Sequence, residues 1–243
     1  MAAMLLAGAG IAHAQIIGTV AIVSDYNFRG ISQSANDPAP QANIDWLSRR
    51  GWYLGLFASR IDLGHDLPRV EADLYGGYHR TLASGIGYEV GSIYYNYHLP
   101  AHSDFNYFEL YAGGSYRWAS AKVYYSPRFG GNAGTRMLGR SSSAYYFTSD
   151  ATYPLPRNFS LIGHFGYSFG EYWDRERALR AARPYMDWGV GGGYLFRHVS
   201  LTLRWVDGSD LREGRNAMQN ILSTRGRVIL GVSTTLPWNA PDP

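Results

Sequence analysis

Strict alternation constrains this chain more than any other feature. From Val70 to His79, Val70, Ala72, Leu74, Gly76 and Tyr78 share one face of an extended chain, and Glu71, Asp73, Tyr75, Gly77 and His79 share the other. A period of two marks a β-strand lying between two unlike surroundings. The same grammar recurs in twelve segments of about nine to thirteen residues, the length a tilted strand needs to cross a bilayer. Connections after even-numbered segments are short: Arg49–Gly51, Thr81–Ser84, Ala119–Ser120, Pro154–Asn158 and Arg197–His198. Those after odd-numbered segments are longer: Gly30–Pro38, Leu63–Pro68, His98–Asp104, Phe129–Ser141, Glu171–Arg183 and Asp207–Ser223. A soluble sandwich has no reason to sort its connections this way. The pattern predicts an all-β fold: a closed antiparallel transmembrane barrel, with short periplasmic turns and long extracellular loops. An even strand number leaves no open edge in lipid.

Composition agrees. Twenty-nine Gly, 20 Tyr and 7 Trp, against 17% charged residues, do not suit a helix bundle. Trp46, Trp52, Trp118, Trp188 and Trp205 fall near segment ends on the apolar face, where an interfacial girdle belongs. The net charge of +3 is carried almost wholly by arginine, since Lys122 is the single lysine. No nucleic-acid motif accompanies it. Met1 to Ala14 is an apolar run ending in Ala12-His13-Ala14, the form of a cleaved leader. The expected organisation is therefore a signal peptide over residues 1–14 and an outer-membrane barrel over 15–243. No run of about 18 apolar residues offers a spanning helix.

The opening segment reads as a strand through Arg29, with Tyr26 and Phe28 on the aromatic, lipid-facing side and Asp25, Asn27 and Arg29 on the polar side. Gly30 then breaks it into a loop. This stretch, Ser24-Asp25-Tyr26-Asn27-Phe28-Arg29-Gly30-Ile31-Ser32-Gln33-Ser34, together with Glu71-Ala72-Asp73-Leu74-Tyr75-Gly76-Gly77-Tyr78 and Glu109-Leu110-Tyr111-Ala112-Gly113-Gly114, resembles the TorF family of bacterial porins. The resemblance covers nearly the whole mature chain. It implies an exported outer-membrane barrel but brings no established functional residues. The ending departs from such barrels, because Leu236 to Pro243 lacks a terminal aromatic after an unbroken strand; Trp238 is the residue left to meet the barrel-assembly machinery.

Phase places Asp25, Arg29, Glu71, Asp73, Glu89, Glu109, Lys122, Asp187, Arg204, Arg225 and Arg227 on the inner surface as pore-lining residues. Acid on segments four to six would face base on segments eleven, twelve and one, giving a transverse field across the pore; pairing across neighbouring strands is the simpler alternative. Glu71 and Asp73 could hold a cation, but a solvated lumen wall is the better account of them. Arg175, Arg177, Arg180 and Arg183 lie in a helix-forming stretch of an outer loop; they could meet lipopolysaccharide phosphates or draw anions to the mouth, but a merely solvated loop is the simpler reading. Gly189-Val190-Gly191-Gly192-Gly193 lies inside a strand, so it is not a dinucleotide loop. No His is placed beside Ser and Asp partners, so no catalytic residue, metal or cofactor is assigned. The reading that follows is passive diffusion of small solutes. A closed barrel acting through its loops is the rival, and an embedded lipid-modifying enzyme stands third.

Overall fold

In a computed structural model, the structure describes residues 14–64, 67–98, 104–178, 183–209 and 226–238. Twelve antiparallel strands close into one barrel. They are β1 (Gln15–Val23), β2 (Ala39–Leu47), β3 (Trp52–Arg60), β4 (Val70–Thr81), β5 (Ile86–Tyr95), β6 (Tyr107–Tyr116), β7 (Ala119–Ser126), β8 (Ala144–Pro154), β9 (Phe159–Phe169), β10 (Tyr185–Phe196), β11 (Val199–Gly208) and β12 (Arg227–Leu236). Each pairs with its neighbours in sequence, and β1 closes the ring against β12 in the register Ile22↔Val232 and Gly18↔Leu236. Tyr97–His98 adds a short pairing to β4, with Glu71 opposite Tyr97.

The wall is inverted relative to a soluble protein. Ile16, Val20, Leu54, Leu56, Val190, Leu203 and Val228 are exposed on the outside, while alternate residues turn inward. Lipid in place of water outside makes that exterior favourable. Aromatic side chains gather in two belts. Trp52 packs edge-on against Tyr78, and Trp118 against Tyr153, at the turn end; Tyr125 packs against Tyr145 at the loop end. Tight turns connect the strands at one end, with Arg117 and Arg197 held at φ 54°. Inside the wall small residues are needed where backbones crowd: a Cβ on Gly191 would stand 2.3 Å from the Leu203 carbonyl oxygen and 2.7 Å from Arg204 Cγ.

Three sequence expectations are corrected. The first strand stops at Val23 rather than Arg29, and the chain turns into the barrel. There Asn27–Phe28 pairs with Ile31–Ser32 in a tight hairpin, with Arg29 at φ 51° and Gly30 at φ 81°. Two successive left-handed residues are the requirement of a two-residue hairpin turn. Tyr26 and Phe28 therefore point into the barrel, not into lipid. Second, the Phe129–Ser141 connection is not wholly loop, since it carries helix α1 (Gly131–Leu138). Third, the helix expected over Arg175–Arg183 begins earlier, as α2 (Glu171–Ala178). Both helices bring apolar side chains to the loop end, where Leu138, Tyr172 and Trp173 bury against Ile31, Ala144 and Tyr185.

Candidate functional site: the folded-in segment and the lumen wall

Residues 24–38 form a body inside the loop half of the barrel. Aromatics hold it there: Tyr26 lies 6.0 Å from Phe57, and Phe28 meets Tyr95 edge-on at 5.6 Å. Tyr26, Ala39, Ile61, Ile93, Tyr95, Tyr97 and Tyr107 make a buried cluster around it. Burial, and then the charges of Glu71 and Asp73, push the Tyr26 hydroxyl far above the usual tyrosine range, so it stays a neutral O–H group.

Two ion pairs fix the segment to opposite parts of the wall. The Arg29 guanidinium donates two parallel bonds to Glu109 on β6, Nη1 to Oε1 at 3.0 Å and Nη2 to Oε2 at 2.5 Å. That fork-to-carboxylate geometry is the strong form of the contact. Both partners are almost wholly buried. The guanidinium also lies 4.4 Å from the centre of the Tyr146 ring and 4.8 Å from that of Phe28, and the Tyr185 hydroxyl donates to the Arg29 carbonyl at 3.0 Å. On the other side, Asp25 pairs with Arg227 of β12 and accepts from the Ser32 and Ser34 hydroxyls at 2.5 and 3.1 Å. Arg227 Nη2 also donates to Asn27 Oδ1 at 2.7 Å. At the tip, a Cβ on Gly30 would fall 2.5 Å from Asp187 Cβ, so only glycine fits this approach as well as this φ.

Beyond the segment, Lys122 pairs with Glu89 at 2.5 Å, and the Tyr53 hydroxyl donates to the same carboxylate. His164 stands between two acids, with Nδ1 2.7 Å from Asp150 and Nε2 2.7 Å from Asp187. With both ring nitrogens engaged by carboxylates, neither is free to accept a proton from a nucleophile. Arg204 turns inward from β11 and forms no ion pair with the described residues.

Every described member of the inward-facing set occupies the inner side, Asp25 and Arg29 from the folded-in segment and the rest from strands. Their arrangement differs from two opposed walls of free charge: Glu109, Arg29, Glu89, Lys122, Asp25 and Arg227 are spent in pairs. Glu71 and Asp73 are not a solvated lining, since each is 1% exposed. Arg183 is exposed ahead of β10, and Arg175 and Arg177 lie in α2. Arg180, Arg225 and the leader through residue 13 lie outside the described residues. Sequence reasoning missed Asp150 and His164 as partners. The period-two phase of β8 would have given Asp150, but consecutive Tyr145, Tyr146 and Phe147 obscured it; Tyr146 turns in, and Tyr145 and Phe147 face out.

A family model described as a bacterial protein of unknown function (Gcw_chp) matches residues 8–229. The chain belongs to the Gcw_chp family. That is the kinship the sequence match supports, and the TorF name is not part of it. No curated protein matches the chain by sequence. Among solved structures, this Gcw_chp barrel is similar to the NanC porin, with a TM-score of 0.55 and 8% identity over 91% of this chain and 98% of that one. It is also similar to the KdgM porin, with a TM-score of 0.51 and 11% identity over 91% of this chain and 98% of that one. The KdgM porin has further been solved in complex with disordered oligogalacturonate, and that structure covers 90% of this chain. At these identities the likeness establishes the fold alone, a porin-type β-barrel.

Proposed function

We propose that this protein is an outer-membrane channel for passive diffusion of small solutes, with its loop-side mouth narrowed by the folded-in segment. The observation that carries the reading is the inner face. Ionisable side chains line it from Glu71 near the loop end to His79, Glu89 and Lys122, which stand in register toward the turn end, beneath an apolar exterior. A barrel with only a structural task could fill its interior with apolar side chains. Twelve strands fall between barrels whose side chains fill the bore and those with a wide aqueous channel. Exposure of the inner face increases from the buried Glu71 to the partly exposed His79.

Among the described residues, eight inward carboxylates (Asp25, Asp45, Glu71, Asp73, Glu89, Glu109, Asp150 and Asp187) outnumber the four permanent cations Arg29, Lys122, Arg204 and Arg227. Refolded protein in planar bilayers is expected to give small channels with a reversal potential favouring cations, most strongly at low salt, where screening is weak. An anion-selective channel would overturn this assignment. The rival, a closed barrel acting through its loops, draws on the packed loop end. It predicts no conductance even from variants with the segment released.

The sidedness of the proposal is testable because the sequence contains no cysteine. A single cysteine at the exposed Met137 of α1 is expected to react with a bulky maleimide on intact cells, whereas one at Ser84 should react only after the outer membrane is permeabilised. Equal labelling of the two would invert the topology.

A further inference from the structure

Every inward acid discussed above has a cation or a hydroxyl partner except two. Glu71 and Asp73 stand two residues apart on the inward face of β4 and are each 1% exposed. Neither Glu71 oxygen has a hydrogen-bond partner among the described residues, and neither does Asp73 Oδ2; Asp73 Oδ1 accepts a long bond from the Asn96 amide at 3.3 Å. No described Lys, Arg or His pairs with either residue, and the nearby Arg29 is committed to Glu109. The Tyr26 hydroxyl, 3% exposed, lies beside them and is also unpartnered. The surroundings are the aromatic cluster of Tyr95, Tyr97 and Tyr107 with Ile61 and Ile93.

Two carboxylates in such a setting cannot both hold charge without a counter-charge, because an isolated buried ion is worth several kcal/mol of destabilisation. The Tyr26 hydroxyl lies next to the Glu71 carboxylate, and neither it, the Glu71 oxygens nor Asp73 Oδ2 has a partner in good hydrogen-bond geometry among the described residues. All the donors are hard oxygens, the set that suits calcium-type cations, and two carboxylates neutralise a divalent charge. Among the described residues no three His, Asp or Glu side chains converge on a point, so a cation here would be held by two carboxylates and a phenol oxygen. We propose that Glu71, Asp73 and the Tyr26 hydroxyl bind a hard divalent cation of the calcium type, which fastens the folded-in segment to the β4 wall. The ion would tie the segment at a third point, remote in sequence from Glu109 and Arg227. This inference does not rest on the channel reading, since a closed barrel could hold the same ion.

Terbium, a luminescent stand-in for calcium, supplies the probe, because neighbouring tyrosines sensitise its emission. Folded wild-type protein stripped with chelator is expected to give tyrosine-excited terbium emission that calcium displaces. Calcium alone should raise its unfolding temperature by several degrees, as any ligand of the native state does. The Glu71→Gln/Asp73→Asn variant should lose both responses while keeping its heat-modifiable migration on gels. Where that variant does not fold, Tyr26→Phe should weaken calcium affinity several-fold, and the wild-type titration stands by itself. Wild-type protein that ignores calcium but gains stability on acidification would show a proton-held pair and overturn the site. Responses that survive in the double variant would place the ion elsewhere and overturn it equally.

Discussion

Arg29→Ala is expected to destabilise the folded barrel by about 3–5 kcal/mol, because it strands the Glu109 carboxylate in a dry interior without its counter-charge. The same change should raise single-channel conductance several-fold, as the segment loses its tie to β6 along with its contacts to Tyr124 and Tyr146. Urea unfolding of refolded protein in lipid measures the first effect and bilayer recording the second. Removing both charges separates charge from packing. In Arg29→Met/Glu109→Leu no buried ion is left behind, so most of the lost stability should return. A single variant within about 1 kcal/mol of wild type would mean that the pair is hydrated and not the latch argued for here.

Val190→Arg tests the inverted exterior. Val190 sits mid-strand on β10 and is 60% exposed, which in water would make it a permissive site. In a bilayer the substitution places a guanidinium at the midplane, and about 2–4 kcal/mol of stability should be lost. Thr152→Arg, at the turn end of β8 and on the inward phase, should change stability by only about 0.5 kcal/mol. Similar effects at the two positions would remove the distinction between the lipid and water faces on which the fold assignment depends.

The wall was legible in the sequence because a period of two is a local property. Each strand announces its phase within a few residues, and lipid demands an apolar outer face along its full length. Val70 to His79 could be read correctly with no knowledge of its neighbours. The segment after Val23 could not. Asp25, Tyr26, Asn27, Phe28 and Arg29 alternate as cleanly as any strand, and their inward turn is decided by partners far away, Glu109 at a separation of 80 residues and Arg227 at 202. Helix α1 was hidden for a related reason. Gly131 and Gly134 are poor helix formers, and the helix is supported from outside by the Ala133 amide donating to the Asp104 carbonyl at 2.8 Å. The pairing of charges was out of reach because phase fixes a side and not a partner. Glu89 and Glu109 look alike in sequence, yet one meets Lys122 on the wall and the other meets Arg29 from the segment.

The position of the segment in the chain also dictates an order of assembly. It follows the first strand, yet its fixed points lie on β6, on β10 through Tyr185, and on β12, the last strand to be made. Its contacts with Phe57, Tyr95 and Glu109 lie on early strands, but those with Tyr185 and Arg227 await the last ones, so the segment cannot be fully fixed until the β1–β12 seam has formed. Contacts this distant in sequence are slow to form. A nascent barrel of this kind therefore holds its segment by one side first and gains the second hold only with its last strand.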